Sequence, residues 1–247
     1  MSEYLYGRQC VREALRAGRR AVHSVLMAEG LWPAPILRDI ATLARERGVA
    51  LTEARRERLS GLAEPHQGVV AEVGPYPYVG FEESLERLAE RSGALVLALD
   101  CLQDPQNFGS LLRTAEAVQV DLVVIQDRRQ VPVTPAVSHV SAGAAEHLKV
   151  AVVVNLRRAL QQMRECGLFV FGLERAPGSH AYYRCDLRGP SVIVVGSEGQ
   201  GLRRLTREAC DMLLELPMLG NVASLNASVA GSVLLYEAVR QRQAARA

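Results

Sequence analysis

Six short apolar runs recur between residues 94 and 217: ALVLALD, DLVVIQD, VAVVVN, LFVFGLE, SVIVVG and MLLELP. None shows the strict polar–apolar alternation of a strand with one wet face. Continuous apolar runs of this length are the pattern of strands covered on both faces. The segment before the first run, SLERLAERSG, reads as a helix, and so do NFGSLLRTAEAVQ, AVSHVSAGAAEHL, LRRALQQMRECG and LRRLTREAC after it; the chain ends on a helix from about Leu225. Strands alternating with helices place the chain in the α/β class, with a mostly parallel sheet carrying helices on both faces. Such sheets bind ligands at the carboxyl ends of their strands, so the chemistry is sought where these runs stop.

The first 74 residues carry a smaller α/β pattern of their own. Val11, Ala14 and Leu15 share a helix face ended by Gly18, and AVHSVLMA is a short strand. Ile36, Ile40, Leu43 and Ala44 mark a second helix stopped by Gly48, and VALT and HQGVVAEV are strands. GPYPYVGFEE, with two prolines, two glycines and no helical period, is the linker. The expected organisation is therefore an N-terminal domain over 1–74, a linker and the helix after it over 75–90, and a larger domain over 91–247.

Composition narrows the chemistry. The five cysteines are odd in number, scattered and without a CxxC pair, so neither a zinc site nor a disulfide framework is expected, and the expected setting is the reduced cytoplasm. No apolar run reaches the ~18 residues of a membrane span, and MSEYLYGRQC lacks the apolar core of a signal peptide. The net charge is +2, and residues 1–74 hold 11 Arg against 9 Asp and Glu. Lys149 is the only lysine. Arginine forks suit phosphate, but genomic base composition gives the same bias.

Three strand ends break the pattern. In LDCLQDPQNFGSLLRTAEA, Asp104-Pro105 makes a turn, Asn107 is placed to cap the next helix, Gly109 allows close backbone approach, and Arg113 stands on an otherwise apolar helix. Alone, Arg113 reads as a solvated charge. In VVGSEGQGL the glycines run G-x-x-G-x-G, which is neither the dinucleotide fingerprint nor a P-loop. Glu198 inside that turn would repel a phosphate and suits an uncharged or cationic ligand. In LPMLGNVASLNASVAGSVLLYEAV, Ser224 and Asn226 both suit the start of the last helix, although a helix needs one cap.

Taken together, N-x-G-x-x-x-R, then G-S-E-G-x-G-L about 85 residues later, then L-P-M-x-G-x-x-x-S-L-N-x-S-x-A, resemble the three motifs of the SpoU-type RNA ribose 2'-O-methyltransferases. The resemblance covers about residues 95–243 and includes SAGAAEHL and VVVNL. Residues 4–73, with YGRQCVREAL and HQGVVAEV, resemble the small ribosomal-protein-like domain of the subgroup that methylates guanosine in 23S rRNA. This implies S-adenosylmethionine as cofactor, no metal, a homodimer with active sites near the dimer interface, and a deep trefoil knot at the C-terminal end, a rare exception to ordinary chain threading. It implies polar active-site positions at Asn107, Arg113, Glu198, Ser224 and Asn226. It also implies cofactor contacts through the backbone of Gly196, Leu216 and Leu225, with Leu173 and Met218 beside them.

On this reading Glu198 orients Arg113 or the substrate. Arg113 grips a phosphate and stabilises the developing alkoxide, because a guanidinium with a pKa above ~12 is a poor base. The stripe Leu225, Val229, Val233 and Tyr236 is expected to bury against the sheet or a partner subunit. Phe108, Ala223 and Ala227 depart mildly from the family pattern and leave its polar set intact. The arginines of RQCVREALRAGRR and RERGVALTEARRER would contact RNA phosphates, and the scarcity of aromatics favours recognition of RNA shape. The expected activity is methyl transfer to a guanosine ribose in 23S rRNA. The alternatives are a tRNA ribose 2'-O-methyltransferase and a non-catalytic RNA-binding relative; a nicotinamide dehydrogenase is disfavoured because no early G-x-G-x-x-G is present.

Overall fold

The apolar runs are strands, and the computed structural model of the chain describes them within residues 3–31, 34–222 and 224–245. Ala223 lies outside the described residues. Two compact units form, Met1–Pro77 with Val133–His147, and Tyr78–Pro132 with Leu148–Ala247.

The first unit holds β1 (Glu3–Tyr6), α1 (Arg8–Ala17), β2 (Val22–Ala28), α2 (Pro35–Glu46), β3 (Ala50–Ala54), α3 (Arg56–Ser60) and β4 (Val69–Val73). Its four-stranded sheet runs β1-β4-β2-β3. β4 is antiparallel to both neighbours, and β2 is parallel to β3. Strand alternation gives each face its own cover. Leu5, Val25, Val69, Ala71 and Val73 pack with Val11, Leu15, Ile40 and Ala44 of α1 and α2. On the other face Ala28, Ala54 and Val70 pack with Leu59 of α3. β1 and α3, four and five residues long, are too short to show a period and were not expected from the sequence.

The second unit continues with α4 (Phe81–Ala89), β5 (Leu95–Asp100), α5 (Pro105–Ala117) and β6 (Leu122–Gln126). After α6 (Pro135–Val140) and a 3-10 turn at Ala144–His147, it resumes with β7 (Val150–Val153), α7 (Leu156–Glu165), β8 (Phe169–Leu173), β9 (His180–Ala181), β10 (Ser191–Gly196), α8 (Arg204–Arg207), β11 (Met212–Glu215) and α9 (Ala227–Ala244). The seven strands lie in the order β7-β6-β5-β10-β8-β11-β9, and every pair is parallel. All residues of β5, β6 and β10 are buried, as their unbroken apolar runs require.

Residues 133–147 pack in the first unit although the chain on both sides belongs to the second. AVSHVSAGAAEHL is not one helix. Ala142 (φ 53°) and Gly143 (φ 85°) take left-handed backbone and separate α6 from the 3-10 turn. At Gly143 a Cβ would come within 2.7 Å of the Glu13 Cβ and 3.1 Å of the Cys10 Cα, so only glycine lets this bend approach α1. Buried Glu146 accepts from Ser138 Oγ at 2.9 Å and Arg20 Nη1 at 3.4 Å, Tyr76 O–H donates to the Ala145 carbonyl at 2.8 Å, and His147 Nε2 lies 2.9 Å from Glu13 Oε2. The arginine that meets Glu146 also pairs with Glu3.

Candidate active site

Adjacent parallel strands end together, and that gives the second unit its site. The carboxyl ends of β8, β10 and β11, the glycine turn after β10 and the start of α9 enclose a cavity of about 800 Å³. Leu173, Gly196, Leu216, Met218 and Leu225 line it, as do Glu198, Ser224 and Asn226. Asn107 and Arg113 are not in its wall, but Asn107 is bonded to it through Asn226.

Asn226 is the hub. Its side-chain oxygen caps α9, accepting from Ser228 N at 2.9 Å and Val229 N at 3.2 Å, and also takes the Ser228 hydroxyl at 2.6 Å. Its Nδ2 donates to Asn107 Oδ1 at 2.7 Å and to Glu198 Oε1 at 2.5 Å. The same Glu198 oxygen accepts from Ala227 N at 3.4 Å. Three of the five expected polar residues are thus one network. Ser224 stands exposed on the cavity wall, and Arg113 is exposed on α5 with no hydrogen bond or ion pair among the described residues.

Several expectations are corrected by this geometry. Asp104, not Asn107, caps α5: its carboxylate accepts from Gln106 N and Asn107 N, and Pro105 fills the first helical position, where its missing N–H costs nothing. Asn107 is thereby inside the helix, 4% exposed, and turned toward Asn226. Glu198 is held by Asn226 and not by Arg113. The stripe Leu225, Val229 and Tyr236 is 44%, 49% and 55% exposed, so it is not packed on the sheet; Gly231, Leu234, Leu235 and Ala238 form the buried side of α9.

The glycine turn is closed tightly. A Cβ on Gly196 would lie 2.4 Å from the carbonyl carbon and oxygen of Gly201 and 2.7 Å from Leu202 N, and Gly199 and Gly201 take φ of 78° and 65°. Asp100 fastens its base. This wholly buried carboxylate ends β5 opposite Gly196 and accepts from Arg203 N at 2.8 Å and Arg203 Nε at 2.7 Å, with Gln126 Nε2 at 3.1 Å. Beside it Arg207 forks onto Glu174, through Nε at 2.7 Å and Nη2 at 2.6 Å. Glu174, Arg175 and Glu215 of the cavity wall and the Asp100–Arg203 pair were missed in the sequence. The one signal for Asp100 is a charge closing an otherwise apolar strand. Burial pushes the Cys210 thiol up to about 12 and raises that of Cys101, so neither is poised as a thiolate.

The donor set suits the cofactor that the motifs imply. Leu173, Leu214, Leu216, Met218 and Ala230 offer an apolar slot, while Glu198 and Glu215 stand as carboxylates of the wall beside Arg175, Glu174 being paired with Arg207. Such a balance accepts a cationic, largely apolar molecule and opposes a phosphate chain.

A parallel sheet whose glycine turn, strand ends and last helix converge in this way belongs to a known class. The chain is a member of the SpoU rRNA Methylase family, whose pattern matches residues 94–236, and residues 4–79 match the RNA 2'-O ribose methyltransferase substrate binding family. More particularly, it is 42% identical over 247 residues to the 23S rRNA (guanosine-2'-O-)-methyltransferase RlmB of Pseudomonas putida, covering 99% of this chain and 98% of that one. It is 40% identical to a putative TrmH family tRNA/rRNA methyltransferase of Staphylococcus aureus, over 96% of each chain. Its fold superposes on the SpoU methyltransferase AviRb from Streptomyces viridochromogenes, solved in complex with AdoMet, with a TM-score of 0.80 at 24% identity, covering 98% of this chain and 91% of that one.

Proposed function

We propose that this protein transfers a methyl group from S-adenosylmethionine to the 2'-OH of a guanosine ribose in 23S rRNA. Residues 91–247 carry the chemistry, residues 1–74 bind the RNA, and 75–90 join them. The observation that carries the reading is the Asn107–Asn226–Glu198 network on the wall of a cavity lined by Leu173, Gly196, Leu216, Met218 and Leu225.

Bound in that cavity, the cofactor supplies a methyl group made electrophilic by its positive sulfonium. Transfer of that methyl to the ribose oxygen would release S-adenosylhomocysteine and one proton, which would pass to solvent water. The backbone of Gly196, Leu216 and Leu225 holds the cofactor. Glu198, fixed by Asn226, places a carboxylate where the ligand is cationic. Arg113, which has no hydrogen bond or ion pair among the described residues, binds the phosphate next to the target ribose and stabilises the alkoxide as it forms; Ser224 orients the sugar, and Asn226 holds Glu198 and Asn107 in place.

Two further features go with this reading. The exposed side of α9, with Val229, Val233 and Tyr236 along a groove of about 730 Å³ that also includes Tyr182, supports a homodimer. The family's trefoil knot at the C-terminal end is the other, and it rests on the family membership. No helix of the described residues is long and apolar enough to cross a membrane; the proposed place of action is the cytoplasm, where the rRNA is.

The test is methylation of transcribed 23S rRNA by the purified protein with labelled cofactor, followed by mapping of 2'-O-methyl positions and comparison with rRNA from a deletion strain. A single guanosine ribose methylated in vitro and lost in vivo is the expected result. Methyl transfer to tRNA alone would establish the second reading, which the tRNA/rRNA name of the Staphylococcus aureus relative favours.

A further inference from the structure

The proposal that the N-terminal part binds RNA leaves open which of its surfaces does so, and the structure separates the candidates. Most arginines on the α1 side are already engaged. Arg12 pairs with Glu13 and Asp39, and Arg16 with Glu13. Arg20 is buried between Glu3 and Glu146. Arg8 donates to the Gln67 carbonyl, Arg19 to the Pro77 carbonyl and Arg47 to the Arg16 carbonyl. These guanidiniums hold the fold.

The opposite face of the sheet differs. The five-residue α3, anchored by Leu59, lies on it with Tyr4, Tyr6, Leu26, Leu31 and Leu62 half-buried around that anchor, and His139 of α6 stacks on Tyr6 at 4.6 Å. Arg55, Arg56 and Arg58 project from this short segment, all exposed and without hydrogen bond or ion pair among the described residues. Glu57 is the one carboxylate among them. The remaining arginines of this unit without a side-chain partner among the described residues, Arg38 and Arg45, lie two turns apart on α2. Three exposed cations against one carboxylate within four residues form the denser phosphate-binding surface.

Resting on the RNA-methyltransferase reading above, we infer that the α3 face of the four-stranded sheet is the surface this protein lays on RNA, with Arg55, Arg56 and Arg58 contacting backbone phosphates. The contacts position the RNA and carry no sequence information of their own.

The experiment measures binding of transcribed 23S rRNA to the full-length protein over a series of salt concentrations. Each phosphate-contacting cation adds about 0.7–0.9 to the slope of log affinity against log salt. The R55A/R56A/R58A variant is therefore expected to lose about 2–3 from that slope, with weaker binding throughout. The R38A/R45A variant keeps the wild-type slope. Alanine favours the helical positions, and the solvent-facing changes leave the core intact, which an unchanged urea midpoint verifies. Cofactor affinity stays at the wild-type value in both variants. An unchanged slope in the α3 variant, or a loss confined to the α2 variant, overturns the assignment of this face. Absence of any RNA binding by the wild-type protein overturns the RNA-methyltransferase reading itself.

Discussion

Asn226 Nδ2 donates to Glu198 Oε1 at 2.5 Å while Asn226 Oδ1 caps α9, so one amide holds the Glu198 carboxylate with one end and starts the last helix with the other. The two jobs separate by substitution. Asn226→Asp keeps an oxygen for Ser228 N and Val229 N, loses both bonds from Nδ2, and sets a second carboxylate against Glu198. Methyl transfer in a single turnover is expected to fall by about 10²-fold or more, with the urea midpoint little changed. Asn226→Ala loses the transfer and about 1 kcal/mol of stability as well, because the cap is gone. Full transfer by the aspartate variant would show that the pairing is not needed.

Arg113 is exposed on α5 with no hydrogen bond or ion pair among the described residues, so Arg113→Ala removes no such bond from the fold. Its unfolding free energy should stay within about 0.5 kcal/mol of wild type, while the transfer rate drops by about 10²–10³-fold. The electrostatic role proposed for it also predicts that Arg113→Lys keeps the pH dependence of the wild-type rate. Should a titrating step present in wild type vanish from both variants, Arg113 is the base and the electrostatic account is wrong.

Gly196, Glu198, Ser224 and Asn226 were legible because their motifs are local: a glycine turn after a strand and a polar stretch before a helix each show within about ten residues, whereas Glu174, Arg175 and Glu215 of the same wall lie in no such motif. What escaped is non-local. Asp100 and Arg203 are 103 positions apart, and Arg20 and Glu146 are 126 apart, so no window on the sequence pairs them. The second of these pairs helps explain why residues 133–147 pack in the first unit. Local ambiguity cost two further details. Asp104 and Asn107 both suit a cap, and the proline directly after Asp104 decides in its favour. Apolar residues are spread around the first turns of the last helix, so their spacing does not say whether Val229 and Tyr236 or Leu234 and Leu235 face inward; the second set is the buried one.

Gly196→Ala tests the closure of the glycine turn. The new Cβ would meet the Gly201 backbone at 2.4 Å, and backbone cannot step aside as a side-chain tip does. The turn must open, at a cost of about 1–3 kcal/mol in stability, and the cavity wall built on Ser197–Gly201 opens with it. Calorimetry with S-adenosylhomocysteine should record affinity at least tenfold weaker. Gly220→Ala, where a Cβ meets nothing within 4 Å, is the control and should bind as wild type does. Equal binding by the Gly196 and Gly220 variants would separate the turn from the cofactor site.

Glu146 gives the first unit a pH dependence of known sign. Burial raises its carboxyl above the ordinary value of 4.5, against the lowering effect of Arg20 and Ser138, and its Oε2 is buried without a hydrogen-bond partner. A carboxyl raised in the folded protein binds its proton more readily there than in the unfolded chain. Its favourable contribution is therefore complete below the unfolded value and is lost as pH rises through the folded one. Glu146→Gln has no proton to lose. The difference in unfolding free energy, wild type minus Glu146→Gln, is expected to decrease between about pH 4 and pH 7, as read from urea unfolding at each pH. An increase over that interval would mean that Arg20 outweighs burial and holds the carboxylate ionised.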